Sequence, residues 1–312
     1  MALSIHTNYS ALTTNTALNK SNSALATNQQ RLGTGLRINS AADDAAGLQI
    51  ATRLNAQSRG MGVAMRNVGD SISLLQTAEG AFSEMTDIVQ RMKDLATQSA
   101  NGTNSQADRD ALQGEYDELG KELGNIINNT SYAGEALFRA ESAAAAGDAG
   151  KFTAAVSFQI GASTAETMAL DASTKLTAVT GALTTSSATY SDVIDSATDA
   201  YVAPVPPALP VAGAEIASAT GANTTIDALS GVLDKISEVR ATFGANINRL
   251  NHTSNNLANM KDNTDMAKGR IMDADFAIES ANMSKNSMLM QSGISMLKQA
   301  GQMPGMVMGL LG

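Results

Sequence analysis

Side chains that commonly carry catalysis or bind metals are scarce in this chain. Histidine occurs only at His6 and His252, and cysteine is absent. The sequence contains no His-Glu-x-x-His zinc motif, no Gly-x-Ser-x-Gly nucleophile motif and no phosphate-binding loop. Two histidines so far apart in sequence are more typical of packed or surface residues than of ligands. We therefore predict that the protein is not an enzyme and holds no metal or cofactor.

The neighbouring carboxylates Asp43 and Asp44 could suggest acid–base chemistry. Carboxylates at the start of a helix are a commoner reason for such a pair, because they interact favourably with the helix dipole. Asn39 or Ser40 could cap that helix, with the two aspartates in its first turn. The Gly-x-Gly at 33–35 is not a dinucleotide fingerprint, because no strand precedes it, and we expect it to end the preceding helix.

The composition favours long helices packed through small residues rather than one dense core. Aromatic residues make up 4% of the 312 residues, and tryptophan is absent. The net charge of −9 and the absence of a basic cluster argue against a nucleic-acid partner. No stretch has the length of a membrane span. The lack of cysteine fits either a cytosolic protein or one that works outside the cell without disulfides. The N-terminus lacks a secretory signal pattern, so export would need another route.

Apolar residues at heptad spacing predict long helices on both sides of residues 139–225. These residues are Val68, Leu75, Phe82, Val89 and Ala96 in a helix over 62–100, Leu112, Tyr116, Leu119, Leu123 and Ile126 in the next, and Leu229, Ile236, Phe243, Leu250 and Leu257 in a third. Ser105 and Asp108 have capping-box spacing at the start of the second. The short link at Asn101-Gly102 predicts an antiparallel hairpin.

Residues 139–225 differ from both flanks. They are acidic and include a low-complexity alanine run, and residues 202–213 hold most of the five prolines, which excludes helix there. Alternating apolar residues between Phe152 and Leu170 predict a β-hairpin. We expect a small mixed or β insert.

The two ends of the chain carry matching apolar patterns. Leu18, Leu25 and Leu32 repeat at seven, as do Phe276, Met283, Met290 and Leu297. Other apolar residues of 271–312 lie away from that seam, and the segment has no fold of its own in which to bury them. We expect the two ends to pair and to become ordered helices only on assembly, although an N-terminal amphipathic helix in water would show the same pattern.

The predicted fold class is mainly α. It is a long antiparallel helical coiled-coil bundle with paired N- and C-terminal helices, plus a small β-containing insert. The predicted segments are an N-terminal core helix (1–40), helical rods (41–138), the insert (139–225), a returning helix (226–270) and a C-terminal core helix (271–312).

Three segments resemble bacterial flagellin, and the lateral type most closely. They are LGTGLRINSAADDAAGLQIA at 32–51, QRMKDLATQSANGTNSQADRDALQGEYDEL at 90–119 and MSKNSMLMQSGISMLKQA at 283–300. The similarity covers about residues 1–138 and 226–312. The insert matches little, although FQIGASTAETMAL at 158–170 resembles the hairpin beside the variable outer region of the family.

The resemblance implies a structural subunit that self-assembles into the extracellular flagellar filament for motility. It implies that the terminal helices line an inner tube, that the long helices form the surrounding layer and that the insert faces solvent. The implied partners are further copies of the chain, an export chaperone on the C-terminal helix, and hook-associated and cap proteins. Export through the flagellar secretion apparatus would require no cleaved signal.

The family also implies contact with Toll-like receptor 5 of animals. The positions that match the recognised surface are Arg91, Leu95 and Glu115, while Lys93 and Asp94 are conservative differences from the usual pattern. The same residues could simply be subunit-contact surface.

Two other functions share some of these features. A flagellar hook–filament junction protein would have the same helical ends but would not polymerise. A filament subunit with an adhesive or hydrolytic insert is the other alternative. The match at both ends favours a filament subunit, and the lack of catalytic residues in the insert argues against a hydrolase.

Overall fold

The computed structural model describes residues 8–139, 149–190 and 213–311, with side chains as far as residue 302. The described helices are α1 (Tyr9–Thr34), α2 (Ala45–Ser99), α3 (Gln106–Asn129), α4 (Ser173–Ser186), α5 (Ala219–Met272) and α6 (Phe276–Leu311). The strands form two antiparallel hairpins, β1 (Ser131–Tyr132) with β2 (Glu135–Ala136) and β3 (Val156–Gln159) with β4 (Thr167–Leu170). The mainly α fold class is confirmed.

The chain divides into two compact units. The terminal unit comprises Met1–Arg59 and Met260–Gly312, and the central unit comprises Gly60–Asn259. All members of the main hydrophobic core lie between Met61 and Leu257. The central unit therefore holds a complete core of its own.

The predicted heptad stripes of α2 and α5 form this core. In the α3 pattern, Tyr116 and Leu123 lie in the core, and Leu112, Leu119 and Ile126 pack against it partly buried. Val68, Leu75, Phe82, Val89 and Ala96 are fully buried on α2, and Leu229, Ile236, Phe243, Leu250 and Leu257 are at most 6% exposed on α5. Four phenylalanine rings contact one another within this core. Phe82 contacts Phe138 edge-on at 5.0 Å between ring centroids, and Phe152 lies between Phe138 and Phe243 at 6.0 and 5.2 Å.

Helix α2 begins earlier than the separate helix predicted over 62–100. It starts at Ala45, and the Asp44 side chain accepts a hydrogen bond from the Gly47 amide at 2.8 Å. The cap is thus Asp44, and the predicted caps Asn39 and Ser40 were wrong. These two residues instead bond the Asp43 carboxylate, which lowers its pKa.

Helix α2 also runs through Gly60, which lies just before the predicted start at residue 62. A Cβ on Gly60 would lie 2.6 Å from the Cβ of Ala162. The glycine therefore permits a close approach of the β3–β4 loop and does not end the helix.

The predicted capping box at the start of α3 is present. Ser105 accepts from the Asp108 amide at 3.3 Å, and the Asp108 carboxylate accepts from the Ser105 amide at 2.9 Å. Hydrogen bonds from Ser105 also lower the pKa of Asp108. Capping of this kind satisfies amides that the first helical turn leaves unpaired.

The described part of the insert contains the predicted hairpin and an unpredicted helix, α4. Val156 pairs with Leu170 in the β3–β4 ladder, and α4 buries Leu176, Val179 and Leu183. The helix escaped prediction because only these three residues carry the helical spacing, in a short run that is otherwise mostly threonine, serine and alanine. The alanine run at 140–148 and the proline-rich residues at 202–212 lie outside the described residues.

A buried polar network ties α3 to the chain on both sides of residues 191–212. Gln113 donates to the Glu215 carboxylate at 2.6 Å and accepts from the Ile216 amide at 2.7 Å. Glu215 also accepts from the Ala188 amide at 2.9 Å. Nearby, the Tyr116 hydroxyl donates to the Ser186 carbonyl at 2.6 Å, and burial raises its pKa. Because its members bond one another, the network satisfies polar groups that would be costly to bury alone.

Candidate functional site

Helices α1 and α6 of the terminal unit pack side by side in antiparallel fashion. At one end the side-chain amide of Asn8 donates through Nδ2 to the Ala300 carbonyl at 2.7 Å. Further along, Leu18 lies against α6, since a Cβ on Gly293 would be 3.2 Å from its Cδ1. At the other end, Arg31 is near the first turns of α6.

The predicted seam residues mostly face the partner helix. Leu25 is buried, and Leu18, Leu32, Met283, Met290 and Leu297 are half-buried. Phe276 is the exception, because it is the first residue of α6 and is 70% exposed. Six of the seven seam residues are therefore buried or half-buried in the pair, and Phe276 is exposed. Their role in assembly stays a prediction.

A polar cluster that the sequence analysis missed joins the two helices. Arg31 Nη1 donates to Glu279 Oε1 at 3.0 Å, and Glu279 is only 7% exposed. With the Asn28 amide oriented to satisfy both neighbours, its nitrogen donates to Glu279 Oε2 and its oxygen accepts from Asn286 Nδ2, each at 3.1 Å.

A second heptad series would have revealed this cluster. Glu279, Asn286, Gly293 and Ala300 repeat at seven, each three residues after a seam residue, so they share the face of α6 that contacts α1. The residues of this series are polar or small, and they therefore do not stand out as an apolar pattern. A buried polar group in a helical interface can select its register.

Arg31→Met is expected to weaken the terminal pair by about 1–3 kcal/mol, because it leaves the buried Glu279 carboxylate without its cation. Arg31→Met/Glu279→Leu is expected to recover most of that loss, since an apolar replacement of both partners leaves no buried charge. Thermal depolymerisation of filaments of each variant would measure the difference. A double variant no better than the single one would contradict a pairing role.

Helix α6 presents a large apolar surface that no described part of the chain covers. Six of its described apolar side chains are 43–70% exposed: Phe276, Ile278, Met288, Leu289, Ile294 and Met296. Ile278, Leu289 and Met296 form a stripe, because their spacings of 11 and 7 residues are close to whole helical turns. Exposed apolar surface of this extent marks an interaction site.

The residues predicted to contact an animal receptor lie in the central unit. Arg91 on α2 donates to Glu115 on α3 through Nε and Nη2, at 2.9 and 2.6 Å, and both side chains are about half exposed. Leu95 is 1% exposed. A partner on this surface would therefore touch Arg91 and Glu115 rather than Leu95, which belongs to the hydrophobic core.

Other sites of chemistry do not emerge from the described part of the chain. His252 is exposed on α5, and His6 lies outside the described residues. Within the described ranges, no three acidic, histidine or cysteine side chains are placed to hold a metal ion. The same ranges contain no helix that is both long and apolar enough to span a membrane. Near the end of α5, the Asp265 carboxylate accepts hydrogen bonds from Lys261 on the same helix and from Ser58 on α2. These bonds lower the pKa of Asp265.

These features define a helical structural subunit. Its long helices pack through heptad repeats, its central unit has its own core, and its terminal helices pair but leave an apolar face uncovered. Comparison with known proteins identifies its family. The profile of the bacterial flagellin N-terminal helical region matches residues 5–143, and that of the C-terminal helical region matches residues 226–311. The chain belongs to the bacterial flagellin family.

Two Vibrio flagellins agree with this assignment. Flagellin A of Vibrio anguillarum is 36% identical over 389 residues, and polar flagellin C of Vibrio parahaemolyticus is 35% identical over 394, with each alignment covering all of both chains. A crystal structure of Bacillus cereus flagellin is 30% identical and covers 62% of this chain and 88% of that one, at a TM-score of 0.44. The chain is a structural subunit of the bacterial flagellar filament, and the junction-protein and adhesive or hydrolytic alternatives are not favoured.

Proposed function

We propose that the paired helices α1 and α6 make the contacts between subunits and become stably ordered only when subunits assemble. The uncovered apolar face of α6 carries this proposal. The described side chains of the terminal unit include few buried apolar residues, namely Leu25, Ile38, Ala51 and Ala300. So small a core offsets little of the conformational entropy lost on ordering two long helices.

The proposed layout follows the segments predicted from the sequence. Residues 1–40 and 271–312 would line the inner tube, residues 41–138 and 226–270 would surround it, and residues 139–225 would face solvent. Family membership supports this layout and a structural rather than catalytic role. The lateral subtype remains a prediction.

Seeded assembly of the purified protein tests the proposal. We expect electron microscopy to show filaments growing from seeds. We also expect amides of residues 9–34 and 276–302 to exchange hydrogen rapidly in the monomer and slowly in the filament. Terminal helices already as protected in the monomer as α2 and α3 would contradict folding on assembly.

A terminal helix with uncovered apolar surface also needs a binding partner that covers this surface before export. We propose that a flagellar chaperone binds α6 in the cell and that the chain leaves unfolded through the flagellar secretion apparatus. Hook-associated and cap proteins would contact the same helices at the filament ends. Co-purification with full-length protein, but not with a chain that lacks α6, is the expected result for the chaperone.

We further propose that the Arg91–Glu115 surface binds Toll-like receptor 5. Arg91→Ala is expected to lower the response of receptor-expressing reporter cells to monomer by about tenfold or more, the size typical of a hot-spot arginine. The control is Lys121→Ala, which removes an exposed ion pair with Glu118 on the same helix α3. A response unchanged by Arg91→Ala would contradict the receptor contact.

A further inference from the structure

Methionine is concentrated in the returning part of the chain. Ten of the 16 methionines lie between Met260 and Met308. Met288 and Met296 on α6 are the most exposed of those whose side chains are described, at 67% and 63%. By contrast, Met85 and Met92 of the central core are fully buried. The thioethers most open to solvent thus lie on the helix with the uncovered apolar surface.

The positions of these two residues place them on the part of α6 that α1 leaves open. Met296 is 18 residues after Ile278, which is five helical turns, so it continues the exposed stripe through Leu289. Met288 is two residues from both Asn286 and Met290, which face α1, and it therefore projects from the opposite side.

We propose that Met288 and Met296 are reversible oxidation sites that control how fast a free subunit joins the filament. This inference rests on the proposed function, in which the uncovered face of α6 contacts neighbouring subunits. The oxidant is a peroxide. The thioether sulfur attacks one peroxide oxygen, the O–O bond breaks, and a sulfoxide and water are the products when the oxidant is hydrogen peroxide. Sulfur loses two electrons and the peroxide gains them.

The sulfoxide changes the surface that must be buried. An S=O group is a polar acceptor, and an apolar contact between helices offers it no donor, so burial becomes unfavourable. Assembly in turn covers both residues and protects them from peroxide. Methionine sulfoxide is reduced enzymatically, and the block is therefore reversible.

The test treats monomer with hydrogen peroxide, locates the added oxygen atoms by peptide mass spectrometry and measures seeded elongation. Oxidation at Met288 and Met296 is expected to slow elongation about tenfold, which corresponds to about 1.4 kcal/mol. Methionine sulfoxide reductase is expected to restore the rate. Filaments given the same treatment are expected to gain no oxygen at either residue.

Substitutions assign the effect to these sites. M288L/M296L keeps apolar side chains of similar volume that cannot be oxidised, and it is expected to elongate normally with or without peroxide. Met266 on α5 is 55% exposed and provides the control, because M266L is expected to remain as sensitive as the wild type. If M288L/M296L does not elongate untreated, M288Q and M296Q replace it, and each is expected to slow elongation.

Several results would overturn the proposal. They are an unchanged rate in oxidised wild-type protein, equal loss of rate in oxidised M288L/M296L, and equal oxidation of both residues in monomers and filaments. Normal elongation by both glutamine variants would also overturn it. Failure of untreated wild-type protein to elongate would instead contradict the proposed assembly role of α6.

Discussion

A chain that ends at residue 282 is expected to form no filaments while its central unit stays folded. The deletion removes the half-buried Met283, Met290 and Leu297 together with the exposed Leu289 and Met296. It leaves the main core untouched, because that core lies between residues 61 and 257. Electron microscopy after seeding and hydrogen exchange of amides 60–259 would measure the two outcomes. Filaments built from the truncated chain would refute the role of α6.

A sharper version changes only two side chains. Met290→Asp/Leu297→Asp places carboxylates against α1, at a cost on the order of a few kcal/mol when they are buried, and is expected to abolish assembly. The matched control, Met290→Leu/Leu297→Met, keeps the volume and apolar character and is expected to assemble. In the Asp variant, residues 62–130 should keep their protection from hydrogen exchange. Loss of protection there would show that the terminal helices also stabilise the monomer.

Phe82→Ala is expected to destabilise the central unit by about 3–5 kcal/mol. Phe82 is fully buried and contacts Phe138 and Phe243 at 5.0 and 5.8 Å between ring centroids, so its loss leaves a cavity among large rings. Urea unfolding of the monomer, followed by circular dichroism, would measure the loss as a lower midpoint.

The control for Phe82 lies on the same helix. Val63 is 46% exposed, and Val63→Ala is expected to change the free energy of unfolding by less than about 0.5 kcal/mol. A loss below about 1 kcal/mol for Phe82→Ala would show that the ring cluster contributes little to the core.

Local periodicity was the reliable signal in this chain. The stripes through Phe82 and Phe243 were correctly predicted to be buried, because a seven-residue repeat places apolar residues on one helical face wherever the partner lies. The capping box at Ser105 was equally local, since its two residues are three apart. The start of α2 was the less reliable prediction, because the helix begins at Ala45 and continues through Gly60, where the absence of a side chain permits a close contact with Ala162.

The polar contacts of both units could not be predicted in the same way. Gln113 meets Glu215 across 102 positions, and Arg31 meets Glu279 across 248. Single polar residues carry no periodic signature, and a sequence does not state which distant carboxylate a given amide or guanidinium will reach. Leu95 illustrates a related limit, because the resemblance placed it among possible receptor contacts, yet it is buried in the hydrophobic core.

The amino-acid sequence by itself determined the helical class, the apolar seams of α1 and α6, the absence of familiar catalytic motifs and the resemblance to flagellin. All of these depend on residue type and on spacing within one segment. Only the tertiary structure decided which sides of α6 remain uncovered and which polar groups join its first turns to α1. The physical reason is that a side chain becomes buried, or finds a polar partner, only when two segments pack together. Residues far apart in sequence must therefore first be brought into contact.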